Sequence, residues 1–520
     1  MKRQVTFIAI LTTISQTTFA ATWRVPQDQP TITAAIQAAD VGDTILVAAG
    51  QYSEHIRLKP GIIVRSDGDD GSGTDGLLRA ERTVIDGAAF TESVPGVVMA
   101  EDSILDGFTV TNVGTWDEAE WTRHFNSHGE ELGDDEGAVH AEGTRPAISI
   151  SGVRCTVRNC RVHHNGDVGI AVIGRKDSKA EALITGNTVV RNMGGGIGVA
   201  EGAEPVIRAN TCRENLRAGI GCRAAAPIIS GNTCVGNVRA GIGCREGATP
   251  VIVHNTCREN RRAGIGIRMK DTAPVVADNL CEDNEMAGIG CRDSASPILR
   301  NNICRSNKMA GIGCDGAMPL IVENLCERNQ LAGIGIQGQA VAIIQKNRCI
   351  ENRLVAIGVT DGSSATILEN ELARTGGMPP LIAVKDQSRA SIQGNRISGG
   401  GVAAVLIQGS ATLSHNTLTG TGDRQGNAIW VQENSTAAIA SNSFDGYRSA
   451  VNSVKASVTI TENTVRRFQG TAIIVRNSLS PANVFGNVVI SADPQASAVK
   501  VEGASGSVDN NIVQPEEAQP

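Results

Sequence analysis

Four arginines, Arg223, Arg245, Arg268 and Arg292, recur 22 to 24 residues apart, each closing a copy of Ala-Gly-Ile-Gly-Cys/Ile-Arg. A guanidinium presents a planar fork of donors that matches a carboxylate or a sulfate. Four of them at one recurrence suit a polyanion, provided the chain brings the recurrences together. A second concentration of reactive groups lies in residues 114–143. Between Asp117 and Glu136 eight acids stand against one arginine, and Trp116, Trp121, His124, His128 and His140 lie in or beside the cluster. Asp134, Asp135 and Glu136 offer the oxygen ligands that calcium takes, although no dedicated calcium-loop spacing is present. His140 is the candidate base, with Glu142 close by as a partner carboxyl. A lyase acting on a polyuronate would use these parts: a cation on the carboxylate, a base for the ring proton and an acid for the leaving oxygen. A hydrolase would need two opposed carboxylates, and only the acidic segment, Glu142 or Asp315 could supply them. Trp430 adds an aromatic face on which a sugar ring could stack.

Positioning these groups falls to a repeat. Asn187, Asn210, Asn232, Asn255, Asn279, Asn302, Asn324 and Asn347 are spaced by 22 to 24 residues, and weaker copies continue at Asn370, Asn395, Asn416, Asn442, Asn463 and Asn487. In the strong units Cys follows the Asn by two residues, a second Asn by five, and Ala-Gly-Ile-Gly by eight to eleven. Gly, Asn and Pro interrupt every few residues, which rules out a helical period. Short runs rich in Ile and Val read as strands, three per unit, and such units stack as the coils of a parallel β-solenoid.

The coil pattern, together with the opening stretch Val25 to Gly68, resembles the right-handed parallel β-helix of the pectin-lyase-like superfamily. The resemblance implies an all-β fold of 22–24-residue coils, with a short amphipathic helix at Thr31 to Ala39 capping the first coil and "GDTILVAAGQYSE" beginning the first sheet. It implies a fold more than a function, because the superfamily includes lyases, hydrolases, epimerases, adhesins and non-catalytic proteins. It also directs attention to long turn insertions, which flank the substrate groove in this superfamily. The pectate-lyase Arg-x-Pro-x-x-Arg pattern and the polygalacturonase Asp pairs are absent. In repeat style the chain is also similar to a periplasmic β-helix accessory protein of the nitrous-oxide reductase system, which brings copper-centre assembly into consideration.

Stacking turns sequence recurrences into columns about 4.8 Å apart along the axis. The Asn column is expected at tight turns, with the Asn in the left-handed region and its amide bonding up the stack. Seven cysteines (212, 234, 257, 281, 304, 326 and 349) form an inward column, with Val162 and Val189 in the same slot. Cys222, Cys244, Cys291 and Cys314 form another, interleaved with Ile267 and Ile336. Their exchange with Val and Ile reads as apolar filling, beside disulfide and soft-metal alternatives. Cys155 and Cys160 are expected outside the columns and most exposed. Both glycines of Ala-Gly-Ile-Gly are expected to point outward. The second outward slot then runs from His140 and Ala171 through unbroken glycines, Gly198 to Gly358, to Ala383, Leu406 and Trp430. Such a bare floor admits a polymer or another backbone. The arginine row stands beside it, unless acids such as Glu214, Glu259 and Asp283 neutralise it.

The organisation expected is a signal peptide at 1–20, a cap and first coils at 21–113, an acidic insertion at 114–137, a repeat array at 138–510 and a polar tail at 511–520. Lys2 and Arg3 before an apolar run, with small residues ending at Ala20, predict export to the periplasm or the medium. The formal charge of −7 and the aromatic content of 3% give no sign of nucleic-acid binding. Two functional classes follow. One is a secreted β-helix protein binding or acting on an anionic polysaccharide, as a polyuronate lyase in its catalytic form. The other is a non-catalytic exported solenoid for binding, scaffolding or copper-centre assembly. A monomer with no membrane span and no cofactor other than calcium is expected.

Overall fold

The computed structural model describes residues 20–90, 93–127, 145–421, 425–491, 496–503 and 505–515. The expected all-β solenoid is what the chain forms. Three parallel sheets run along the axis, and sheet A alone holds twenty strands. In one representative coil, Ile228–Ser230 belongs to sheet A, Thr233–Val235 to sheet B and Ile242–Arg245 to sheet C. Each strand pairs in parallel register with its counterpart one coil away, so Cys212 lies beside Cys234, and Cys234 beside Cys257. The first strand is Thr22–Val25, ahead of Thr44–Val47, where the sequence placed the start of the sheet.

Helix α1 (Ile32–Ala38) closes the N-terminal end. Thr31 caps it by accepting from Ala34 N–H, and the Glu54 carboxylate accepts from the N–H groups of Ile32 and Thr33 at 2.9 and 2.8 Å. Both devices satisfy donors that a helix start leaves open. Helix α2 (Leu78–Arg82) brings Arg79 into the wall, where it bonds Asp106 at 2.8 Å and Asp70 at 2.6 Å. Burial pushes the Asp106 carboxyl up, but hydrogen bonds from Arg79 and Asn159 and the charges of Arg79 and Arg158 outweigh it and hold the group below its ordinary value.

Alternation along each strand sends every second residue into a continuous aliphatic and thiol core. Both cysteine columns are inside it, and all thirteen cysteines are free thiols. Cys155 and Cys160 are not exceptions. Cys155 is 4% and Cys160 0% exposed, because Cys155 pairs beside Ser103 in sheet A and Cys160 takes the head of the Asn column. Burial pushes the thiols of Cys155, Cys160 and Cys222 up to about 12, so they are packing groups, not nucleophiles.

The Asn column runs unbroken from Asn187 to Asn511, and many of its members do two jobs. Asn210, for example, donates from Nδ2 to Asn232 Oδ1 at 3.0 Å and to Arg208 O at 3.0 Å, closing its own turn. The left-handed residue is the one before the Asn, such as Ala209, His254 or Glu323, and not the Asn itself. The amide holds its neighbour in a conformation that costs an L-residue about 1–2 kcal/mol. A second buried column, Asn165 to Asn352, lines the turn between sheets B and C. It ends where Arg374, itself buried, donates to the carbonyls of Asn352, Arg353 and Leu354.

Candidate functional site

The second Asn column explains the first glycine of each Ala-Gly-Ile-Gly. A Cβ on Gly264 would lie 2.7 Å from Gly288 O and 2.9 Å from Asn284 Nδ2. These glycines face the next coil and not solvent, which corrects the expectation that both point outward. The second glycine behaves as expected. A Cβ on Gly221 would meet nothing within 4 Å, and one on Gly266 would reach only Ala240 Cβ at 3.4 Å. The pairing Ala171, Gly198, Gly221, Gly243 is in register, and the bare column continues to Gly358. Seven steps at about 4.8 Å make a floor roughly 34 Å long on the outer face of sheet C.

One lip of this trough is the arginine row. Arg223 pairs beside Arg245, and Arg268 beside Arg292, two residues past the floor glycines and on the same outward parity. The row ends at Asp315, which follows Arg292 in register. Glu201 meets Arg223 at 2.8 Å, and Glu246 lies 3.9 Å from Arg223 and 3.5 Å from Arg245. Both acids come from the turn toward sheet A. Of the acids expected to neutralise the row, Glu214 serves Arg191 and Glu259 serves Arg258. The other lip is the turn from sheet B, where Ala218, Ala240 and Ala263 edge the floor, each preceded by an arginine: Arg217, Arg239 and Arg262. The sequence reading passed over these three, although they recur in phase with the first row.

Helix α3 (Glu118–Asn126) buttresses this second lip. Trp121 packs on Leu216 and Val238, and stacks on Phe125 at 4.6 Å. Arg191 lies over Trp121 at 4.0 Å and Arg261 over Phe125 at 5.0 Å. An ion pair of 2.7 Å ties Glu118 to Arg191. The acidic insertion thus begins as an amphipathic helix docked along several coils beside the floor. His140, Glu142, Asp134, Asp135 and Glu136 lie outside the described residues. The outward slot above Ala171, given to His140 in the sequence reading, belongs to Ser149. Among the described residues no group of three His, Cys, Asp or Glu side chains is arranged to hold a metal ion.

Trp430 does stand in the floor column, beside Leu406 and Asn452 and three coils past Gly358. Its indole N–H is buried with no hydrogen-bond partner among the described residues. A histidine pair went unnoticed in the sequence. His163 Nδ1 lies 2.9 Å from His164 Nδ1 and 3.2 Å from Thr111 Oγ1, and Trp116 packs edge-on against His164. Burial, with the charges of His164 and Arg161, pushes His163 down to about 4, and burial lowers His164 as well. The pair belongs to sheet B and its turn, away from the arginine row of sheet C. The His-His doublet beside the insertion was the signal available for it.

Residues 146–302, 264–373 and 287–444 match the family model described as "Right handed beta helix region". No curated protein matches significantly. Among solved structures, the chain is similar to a periplasmic alginate epimerase, AlgG, at 13% identity and a TM-score of 0.44, over 67% of this chain and 82% of that one. It is similar to a PL6-family alginate lyase, AlyGC, at 11% identity and a TM-score of 0.39, over 95% and 100%. It is also similar to the A-module of the Azotobacter vinelandii mannuronan C-5 epimerase AlgE6, at 12% identity and 0.30, over 93% and 94%. These likenesses concern the fold.

Proposed function

This chain belongs to the right-handed β-helix family, and from that premise we propose that it is an exported protein that binds an anionic polysaccharide lengthwise along the glycine floor of sheet C. One observation carries this reading: a single-sign arginine row stands beside a floor without side chains. Like charges on adjacent strands repel one another, as in the pairs Arg223 with Arg245 and Arg268 with Arg292, and stacking alone gives no reason to keep them together. A polymer with one carboxylate or sulfate per sugar offers an anion to successive guanidiniums, and the bare floor lets its rings approach the backbone. Trp430 continues the same column and offers a ring face at the far end. No helix of the described residues is long and apolar enough to cross a membrane.

Binding is the core of the reading, and turnover is its extension. A polyuronate lyase would use the arginine row to offset the uronate charge, His140 as base and Glu142 as acid, with Asp134, Asp135 and Glu136 as the calcium ligands. The test passes the protein lacking residues 1–20 over immobilised polyuronate and immobilised sulfated glycan, with and without calcium. Ultraviolet absorbance of unsaturated product is followed in parallel. Retention that disappears in the Arg245→Ala/Arg268→Ala variant is the expected result. Absorbance that disappears in His140→Ala adds the lyase step. Absence of retention on either polymer sinks the polysaccharide reading and returns attention to a scaffolding role.

A further inference from the structure

Sheet A presents the opposite kind of surface from sheet C. Its outward central column reads Ile228, Val251, Val275, Ile298, Leu320 and Ile343 on successive coils. All but Leu320 are exposed by 39% to 47%, and Met318 and Val341 beside them by 54% and 55%. The three strands centred on Ile228, Val251 and Val275 carry no charged outward residue. Branched aliphatics kept at consecutive exposed positions form a continuous patch of a size that monomeric proteins rarely leave in water.

We propose that sheet A is a two-fold dimer interface, on which a second copy of this chain packs face to face with its solenoid axis antiparallel. Area is the first argument. From the strand of Leu183 to that of Ser391 ten coils span about 43 Å, and three outward residues per strand give a width of about 18 Å. The face is therefore on the order of 800 Å² per partner, the size of a standard stable interface. The stacked strands are in uninterrupted register, so two such faces meet along their whole length as aligned sheets do.

Charge sets the orientation. A two-fold axis along the strand direction, midway between Val275 and Ile298, brings each coil opposite its mirror coil. Ile228 then meets Ile343, Val251 meets Leu320 and Val275 meets Ile298. At the ends of the patch, Glu181 on the outer edge of the Leu183 strand falls opposite Arg389 on the same edge of the Ser391 strand. One coil farther out, Arg154 faces Ser410. The parallel arrangement would leave Glu181 opposite the partner's Thr185 and Arg389 opposite the partner's Gln393, and would offer the partner's Arg208 only Glu204, which Lys179 already holds. The antiparallel dimer leaves both sheet C troughs open, so it stands independently of the polysaccharide reading.

Sedimentation or light scattering across a concentration series reads the mass directly. Twice the chain mass is expected, and Val275→Asp or Ile298→Asp should return it to one chain whose circular dichroism spectrum is unchanged. Glu181→Arg and Arg389→Glu should each weaken association about tenfold, and the two together should restore it. A cysteine at Ile228 in one copy should cross-link to a cysteine at Ile343 in the other. A one-chain mass at every concentration, or a dimer indifferent to Val275→Asp, overturns the interface. A cross-link between two Ile228→Cys positions overturns the antiparallel orientation.

Discussion

Sheets B and C are built by the same coils and both carry arginines on their outer faces, yet they arrange charge differently. On sheet B, Arg258, Glu282, Arg305 and Glu327 follow one another in register, and Arg305 meets Glu282 at 2.7 Å. Each charge there is answered by the next coil, which is how a ladder of exposed side chains relieves itself. On sheet C Arg223 lies beside Arg245 and Arg268 beside Arg292, and the acids near them stand in the turn, Glu201 and Glu246, or at the end of the row, Asp315. The two faces thus differ in where the answering acids stand: within the row on sheet B, and mainly in the turn beside it on sheet C.

The largest expected difference is in binding. Arg245→Ala with Arg268→Ala should lower affinity for a polyuronate by about 100-fold or more, at roughly 1.5–3 kcal/mol per charged contact. Arg258→Ala with Arg305→Ala on sheet B should change it less than about twofold. Equal losses from the two pairs would erase the distinction between the faces. The glycines sharpen it next. Gly264→Ala forces a Cβ against Gly288 O and should lower stability by about 1–3 kcal/mol, read as a fall in melting temperature. Gly266→Ala, which opens onto the floor, should stay within about 0.5 kcal/mol. Gly266→Leu should keep that stability while losing retention, since it fills the trough.

Acidification separates the two kinds of polyanion. Uronate carboxyls lose their charge as pH falls through about 3.5, while arginine keeps its own. Retention on a polyuronate should fade there and retention on a sulfated glycan should persist, measured by elution pH. The smallest effect is assigned to sheet B. Glu282→Gln breaks the pair with Arg305, of which one member is half exposed, and should cost about 0–1 kcal/mol in thermal unfolding. A loss beyond about 3 kcal/mol would mean that sheet B uses its charges structurally in a way the alternation does not capture.

Much of the fold was legible because a solenoid turns period into position. The recurrence of Asn210, Asn232 and Asn255 predicted a stacked column, and Cys-for-Val exchange predicted an inward slot. Legibility failed wherever the answer depended on a neighbouring coil. Whether Gly264 faces out or in is decided by Asn284 and Gly288, one coil along. Cys155 and Cys160 looked isolated because their column mates are Ser103 and an Asn, not other cysteines. The place of His140 was misread because the insertion shifts the count, and the register gives that slot to Ser149. The candidate site was legible to a lesser degree. The floor and the row of Arg223 to Arg292 came from period alone, whereas His163 with His164, and α3 against Leu216 and Val238, needed the folded chain.

The amino-acid sequence by itself determined the architecture: the coil length, the inward and outward parity of each strand, the bare column and the arginines beside it. It could do so because a parallel stack makes contacts between residues one repeat apart, so local pattern and tertiary contact coincide. The tertiary structure alone decided which turn residue takes the left-handed conformation, which acids reach the arginines, and that the acidic insertion opens as a helix held by Arg191 and Arg261. Those outcomes depend on side-chain reach across coils and on packing between segments far apart in the chain, and no recurrence in the sequence encodes them.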